Sequence, residues 1–98
     1  MNAKFCGMLG LAMRAGKLAL GEGKASDTVR DGKCELLLLA TDAGPNTEKR
    51  FLNMTQFYQV LVLRPCGREE LSGAIGKPAV VVAVTDSGFA KQLRALAE

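Results

Sequence analysis

The sequence predicts an α/β fold in which helices cover both faces of a central sheet that is at least partly parallel. Apolar runs of four to six residues, short enough to be strands, alternate with longer segments of helical periodicity. Such alternation is typical of strands joined by helical crossovers, which place the helices on the sheet faces. The chain has 98 residues, 48% hydrophobic and 23% charged, which suffices for one packed core but not two. We therefore expect one domain over residues 1–98.

The first half of the chain is predicted to contain two helices and two strands. Apolar residues recur with the spacing of one helix face from Lys4 to Arg14, and a glycine follows as a stop. The segment Lys17–Gly21 is predicted to be a short strand or an extended turn. Glu22–Asp31 is predicted to be a largely solvent-facing helix, again followed by a glycine. The unbroken apolar run Leu36–Ala40 predicts a strand that is covered on both faces.

The second half is predicted to alternate in the same way. A turn with Pro45 precedes the third helix, where proline suits the first helical turn. β-branched residues dominate the last strand, and Thr85-Asp86-Ser87, whose side chains are able to cap a helix, follow it. The predicted order is a helix over Thr47–Gln56, a strand over Val60–Leu63, a helix over Arg68–Ala74, a strand over Ala79–Val84, and a closing helix with an apolar face of Phe89, Leu93, Leu96 and Ala97.

Several classes of function are disfavoured by composition. The chain has no histidine, the commonest general base and transition-metal ligand. Cys6, Cys34 and Cys66 are widely spaced, which suggests reduced thiols and neither a disulfide framework nor a zinc site. No apolar run could span a bilayer, and no signal region is evident, so a cytoplasmic protein without a membrane partner is expected. We predict no catalytic residue, no metal, no cofactor and no small-molecule substrate.

Two glycine-bearing segments, Gly21–Lys24 and Leu71–Pro78, are candidates for contact with an anion. Small residues before a helix let backbone N–H groups approach a phosphate. Nucleotide binding at Gly21–Lys24 is the weaker interpretation, because the third glycine and the long preceding strand of a dinucleotide fingerprint are missing. Basic residues flank both segments and would form one basic edge if the fold brings them together; they are Arg14, Lys17, Lys24, Arg30, Lys33, Arg68 and Lys77.

Four blocks of sequence are similar to a known family. They are Leu9-Gly10-Leu11-Ala12-Met13-Arg14-Ala15-Gly16-Lys17, Gly21-Glu22, Leu38-Leu39-Ala40-Thr41-Asp42-Ala43 and Glu69-Glu70-Leu71-Ser72-Gly73-Ala74-Ile75-Gly76-Lys77. In order and spacing they resemble the kink-turn RNA-binding ribosomal large-subunit protein family, of the L-seven-Ae and L-thirty-e type, and most closely its bacterial YlxQ-like subgroup. The resemblance spans nearly the full chain. It implies a three-layer α/β/α sandwich with a mixed four-stranded sheet, and structured RNA, ribosomal RNA or the ribosome as partner.

The resemblance also implies where RNA is bound. In the family a helix N-terminus of the form Gly-Thr-Asn-Glu-x-x-Lys enters the bent RNA, and a loop of the form Leu-Gly-x-Ala-x-Gly closes over an extruded nucleotide. These motifs align with Gly21–Asp27 and Leu71–Gly76, and in the loop Ser72 stands in place of a glycine. This chain departs from the first motif, since Gly23 stands in place of Asn or Lys, Lys24 in place of Glu or Gln, and Asp27 in place of Lys.

The implied site uses few side chains that could stack on bases, because the aromatic residues are predicted to be core or half-buried. Lys17, Lys24 and Arg30 are expected to contact phosphates, and Ile75 with Gly76 to shape an apolar shelf.

One alternative is a protein-interaction or ribosome-assembly module that has lost kink-turn recognition, and another is a small nucleotide-binding domain. The candidate RNA-binding residues are Lys17, Gly21, Glu22, Gly23, Lys24, Asp27, Arg30, Arg68, Ile75, Gly76 and Lys77.

Overall fold

Helices and strands alternate along residues 1–97, the part of the chain that the computed structural model describes. The elements are α1 (Ala3–Arg14), β1 (Leu18–Leu20), α2 (Glu22–Arg30), β2 (Leu36–Leu39), α3 (Pro45–Tyr58), β3 (Val62–Leu63), α4 (Arg68–Ile75), β4 (Val81–Val84) and α5 (Ser87–Leu96). Their order confirms the predicted alternation. They build the three-layer α/β/α sandwich that the resemblance implied.

The four strands form one mixed sheet in the order β1-β4-β2-β3. The central strand β4 runs antiparallel to both β1 and β2, and only β2 and β3 are parallel. Leu20 pairs with Val82, and Leu39 pairs with Val81. The side of the sheet formed by the strand ends, where β1 and β2 end and β4 begins, is called the Gly21 edge here; it is not an outer strand. The opposite edge, where β4 ends at Val84, is called the Thr85 edge.

The sheet is buried on both faces, which explains the unbroken apolar runs. All residues of β2 and β4 are buried, and alternate side chains point to opposite layers. Leu36, Leu38, Val82 and Val84 pack with α1, α4 and α5, whereas Leu37, Leu39, Val81 and Ala83 pack with α2 and α3. Each large side chain buried in this way contributes about 1.5–3 kcal/mol. Two-sided burial therefore outweighs the low β-propensity of leucine.

Helix α3 is two residues longer at each end than the sequence predicted. It begins at Pro45, whose fixed φ suits the first turn, and Gln59 ends it in the left-handed region at φ 57°. Strand β3, in contrast, is limited to Val62–Leu63 and pairs only with β2. Strand β4 begins at Val81, because Ala79 is held by α4 as described below.

Three predicted positions of apolar side chains are wrong. Ala97 follows the last turn of α5 and is exposed, and Ala90 is the buried alanine of that helix. Phe57 and Tyr58 lie at the exposed end of α3, with 79% and 41% of their surface accessible. Their rings form an edge-to-face pair with centroids 4.9 Å apart. An exposed helix end cannot be distinguished from a buried one by apolar content alone.

Candidate nucleic-acid interface

The two glycine-bearing segments meet at the Gly21 edge, although about 50 residues separate them in the chain. The backbone N–H of Gly21 donates to the carbonyl of Val81 at 3.2 Å, extending the antiparallel pairing of β1 with β4. A cleft of about 230 Å³ lies between the start of α2 and the segment before β4. It is lined by Gly21, Glu22, Pro78, Ala79, Val80 and Val81.

Gly21 places the N-terminus of α2 at this cleft. Its backbone has φ 91° and ψ 162°, a region open essentially to glycine alone. Among the described residues no side chain caps the helix, and the N–H of Ala25 makes the first helical bond to the Gly21 carbonyl. The first turn therefore leaves backbone N–H groups available, and the helix dipole favours an anion beside them.

The segment opposite α2 is held by the side chain of Ser72. Its hydroxyl accepts a hydrogen bond from the Ala79 N–H at 2.9 Å and donates one to the Ala79 carbonyl at 3.2 Å. Gly76 ends α4 in the left-handed region at φ 87° and donates its N–H to the Ser72 carbonyl at 2.8 Å. The predicted Leu71–Pro78 loop is therefore wrong in extent, since residues 71–75 are helical and only residues 76–80 connect α4 to β4.

Ser72→Ala is expected to loosen this connection and to lower the free energy of unfolding by about 1–2 kcal/mol, because two hydrogen bonds to a buried residue are lost. Hydrogen exchange at the Ala79 amide should become faster. Ser87→Ala is the matched control, since Ser87 is exposed on α5. Unchanged protection of the Ala79 amide would show that the hydroxyl does not hold the segment.

Two cations without an ion-pair partner in the described part of the chain and two ion pairs lie on α2 and on the connection from α4 to β4. Lys24 and Lys77 are exposed and join no ion pair within residues 1–97. Glu22 Oε1 lies 3.5 Å from Arg50 Nη1, and Asp27 Oδ1 lies 2.6 Å from Arg30 Nη2. The negative charges of these two carboxylates are thus offset locally, although exposed pairs of this kind contribute little stability.

Lys17 and Arg30 do not lie beside the cleft. The Lys17 carbonyl accepts the N–H of Thr85 at 2.9 Å, which places it at the Thr85 edge. Arg30 ends α2, and at 1.5 Å per residue it stands about 12 Å along the helix from Glu22. The hypothesis of one continuous basic edge is wrong, because β1 and α2 run in opposite directions between the two sheet edges.

Arg68 and Ile75 have structural contacts that the sequence did not suggest. The Arg68 backbone N–H donates to Asp42 Oδ1 at 2.8 Å, and its Nη2 donates to the Asp42 carbonyl at 2.9 Å. These bonds fasten the start of α4 to the turn after β2. Ile75 is only 7% exposed and packs in the core beneath α1 and α4. Its side chain is therefore part of the core and not an open apolar shelf, while Gly76 and Lys77 are exposed at the edge.

Arg50 is a residue beside the site that the sequence did not indicate. Its Nη2 donates to Ser26 Oγ at 3.4 Å, in addition to the pairing with Glu22. It thereby ties α3 to the first turns of α2. No local pattern could have revealed this contact, because 28 residues separate Glu22 from Arg50. Ser72, by contrast, was visible as a departure from the glycine of the family loop.

Two of the three thiols, Cys34 and Cys66, are poorly suited to nucleophilic chemistry. Burial raises the pKa of the Cys34 thiol to about 11, and burial likewise raises the pKa of Cys66. A cysteine nucleophile must be a thiolate, which such environments disfavour.

Within residues 1–97, no three or more cysteine and carboxylate side chains are grouped so that they could hold a metal ion. No helix in that part of the chain has the length and apolar character needed to cross a bilayer.

Comparison with known proteins identifies relatives along almost the whole chain. Residues 3–94 match the sequence profile of the ribosomal protein L7Ae/L30e/S12e/Gadd45 family. An RNA-binding protein YlxQ from Enterococcus faecium is 37% identical over 95 residues, covering 97% of this chain and 92% of that protein. An RNA-binding protein YlxQ from Bacillus subtilis is 42% identical over 90 residues, covering 91% and 90%. These descriptions name RNA binding and no enzymatic activity, which agrees with the prediction of a non-catalytic protein.

Solved structures give the same result for the fold. A Bacillus halodurans protein described as having unknown function is 40% identical, superimposes with a TM-score of 0.93, and is covered over 98% of both chains. A Giardia lamblia 15.5kD RNA binding protein superimposes with a TM-score of 0.78 at 18% identity, covering 98% of this chain and 92% of that one. The second likeness concerns the fold alone. The chain therefore belongs to the L7Ae/L30e/S12e/Gadd45 family of ribosomal proteins, and within it to the group that includes the YlxQ proteins.

Proposed function

We propose that this protein binds structured, kink-turn-like RNA without catalysis, in the cytoplasm and with ribosomal RNA or the ribosome as partner, through the Gly21 edge. The observation that carries the proposal is that two distant segments line one cleft. The hydrogen bond from the Gly21 N–H to the Val81 carbonyl links its two sides. One segment offers an uncapped helix N-terminus, and the other offers a connection held in one conformation by Ser72. Relatives that are described as RNA-binding proteins support the same function.

The chemistry of the edge suits recognition of RNA backbone and shape. Amide groups in the first turn of α2 would bind a phosphate, and the exposed Lys24 and Lys77 would add charge from either side of the cleft. Gly23 has no side chain to read a base, and no atom lies within 4 Å of the place where its Cβ would stand. The backbone can therefore approach RNA closely at this point.

The experiment that tests the proposal compares two RNAs. A kink-turn RNA with tandem G·A pairs and a continuous duplex of equal length are titrated with the protein at two salt concentrations. We expect tighter binding of the kink-turn RNA, with a preference that survives the higher salt concentration. Equal affinity for both RNAs would mean that binding is only a nonspecific attraction of charge.

Asp27→Lys is expected to tighten binding of the kink-turn RNA by up to about tenfold, and to raise the salt slope by about one unit. Asp27 follows Lys24 by three residues and Gly23 by four, so it shares their exposed helix face. The substitution removes a carboxylate from that face, adds a cation and releases Arg30 from its ion pair. Isothermal titration at several salt concentrations measures the effect.

Asp31→Lys is the matched control for this variant. Asp31 is exposed, and its replacement by lysine changes the net charge by the same amount. Asp31 lies after the last turn of α2, toward the Thr85 edge. Its effect on affinity should be clearly smaller. If both variants tighten binding equally, net charge and not the Gly21 edge determines affinity.

A second candidate is a protein-interaction or ribosome-assembly module that keeps the fold without kink-turn recognition. The specific observation in its favour is Asp27, whose carboxylate stands where the family motif has a lysine and is 68% exposed. An exposed carboxylate repels phosphate. This candidate predicts no measurable binding of either RNA and no gain from Asp27→Lys, so the same titrations separate the two functions.

A further inference from the structure

A second surface, unrelated to the Gly21 edge, lies between α1 and α5. The two helices lie side by side, and the start of α1 is fastened to the end of α5, because Asn2 donates its Nδ2–H to the carbonyl of Leu96 at 2.8 Å. Between them lies an open groove of about 470 Å³. The small and apolar part of its lining, called the floor here, is Gly7, Met8, Leu11, Ala95 and Leu96, and Lys4 and Gln92 complete the lining. The groove belongs to the layer of α1, α4 and α5, on the other side of the sheet from α2 and α3.

The groove is apolar and open to solvent. Leu11 is a large apolar residue of α1 with 48% of its surface exposed. Gly7 lies one turn before Leu11, and a Cβ at Gly7 would meet nothing within 4 Å. Two small residues, Gly7 and Ala95, thus leave room for another backbone to approach closely. The groove therefore offers apolar surface to a partner, centred on the side chain of Leu11.

Within α1 and α5, as far as the structure describes the chain, the charged side chains are all basic. The segments Ala3–Arg14 and Ser87–Leu96 together contain four basic residues and no aspartate or glutamate; the basic residues are Lys4, Arg14, Lys91 and Arg94. Within residues 1–97 none of these four joins an ion pair. Lys4 lines the groove directly. Lys91 lies one helical turn before Ala95, so it borders the groove from α5.

We propose that this groove binds an amphipathic helix of a protein partner, with apolar residues facing the floor and acidic residues along its flanks. The distance from Lys4 to Leu11 along α1 is about 10 Å, which corresponds to about two turns of a bound helix. Apolar side chains of the partner would cover Leu11 and Met8. Its carboxylates would pair with Lys4, which lines the groove, and with Lys91, which lies one helical turn before Ala95.

The one-sided charge favours this occupant over two others. A second copy of the chain, packed groove to groove, would bring the same unpaired cations of each copy together. RNA would have to lay its phosphates over an apolar floor, at a cost in desolvation. An acidic amphipathic helix can pack its apolar side chains on the floor and pair its carboxylates with the lysines beside it. The groove and the cleft at the Gly21 edge share no lining residue, so we expect both to be occupied at once.

The test uses two synthetic helical peptides with identical apolar spacing, one flanked by glutamates and one by lysines. Each is titrated into ¹⁵N-labelled full-length protein and followed by two-dimensional NMR. We expect the acidic peptide to bind at least tenfold more tightly, with shifts concentrated at Lys4, Gly7, Leu11 and Ala95. Leu11→Glu should weaken its binding at least tenfold. Leu52→Glu is the matched control on α3, where a leucine of similar exposure lies in the other layer.

Each other outcome overturns the proposal. Equal binding of the two peptides, shifts spread outside the groove, or no binding by the acidic peptide would exclude an acidic helix as the occupant. Larger groove shifts with RNA than with peptide would assign the surface to nucleic acid. A dimer by sedimentation that Leu11→Glu dissociates would assign it to a second copy. A dispersed spectrum for Leu11→Glu confirms that the variant is folded, as expected for a half-exposed position.

Discussion

Phe51→Ala should lower the free energy of unfolding by about 3–5 kcal/mol, the usual cost of deleting a buried phenyl ring. Phe51 is completely buried and is the large apolar side chain by which α3 packs against α2 and the sheet. The only other buried residue of α3 is Thr55, whose hydroxyl bonds to the Phe51 carbonyl of its own helix. Loss of the ring therefore removes the one large, completely buried side chain of α3 and leaves the half-buried Met54 and the Arg50–Glu22 ion pair to hold the helix. Urea unfolding followed by circular dichroism measures the effect.

The matched control is Phe57→Ala in the same helix. Phe57 is 79% exposed and contacts the ring of Tyr58 edge to face. We expect a loss below about 1 kcal/mol, because little buried area and only one weak ring pair are removed. Because folded proteins are stable by only about 5–15 kcal/mol, the first variant should be close to unfolding at 37 °C while the second is not. Similar losses for the two would contradict the burial of Phe51.

Gly21→Ala should damage both stability and RNA binding. At φ 91° and ψ 162° any side chain is strained, at a cost of about 1–3 kcal/mol. Relief of the strain would turn the first residues of α2 away from Val81, whose carbonyl accepts the Gly21 N–H. The cleft would then lose its shape, and we expect kink-turn affinity to fall roughly tenfold or more, equivalent to about 1.4 kcal/mol. Urea unfolding and the RNA titration give the two values.

Gly23→Ala, two residues later, is the control that distinguishes the effect of backbone strain on stability from the effect of replacing any glycine by alanine. Gly23 lies inside α2, is not at positive φ, and has open space around the position of a Cβ. Alanine there should raise stability by up to about 1 kcal/mol, since it is a better helix former than glycine. The two variants should thus change stability in opposite directions. A loss of stability in both would refute the assignment of strain to Gly21.

Local patterns predicted the elements better than their ends. The four leucines from Leu36 predicted a strand covered on both faces, and the structure confirms it because apolar residues are needed on both sides. Asp86 was predicted among the caps of the last helix, and its carboxylate accepts the Phe89 N–H at 2.9 Å. Strand β3 was predicted too long. It is an outer strand with one neighbour, so its length depends on how far β2 extends beside it.

The candidate site was predicted in part for a similar reason. The segments around Gly21 and Gly76 were identified from glycines whose positive φ is a local property of the chain. Lys17 and Arg30 were grouped with them because they are near in sequence, yet β1 and α2 carry them to the other edge of the sheet. Ile75 was expected at the surface, but the turn of α4 points it into the core.

The amino-acid sequence alone determined the alternation of helices and strands, the position of the glycines, the absence of histidine and the resemblance to a ribosomal protein family. These depend on short-range periodicity, backbone freedom and composition, which are present in any stretch of the chain. Only the tertiary structure decided which cations stand beside the cleft, and that Ser72, Arg50 and Asp42 hold its surroundings. Those contacts link elements through the strand order β1-β4-β2-β3, and strand order is set by the packing of both layers together.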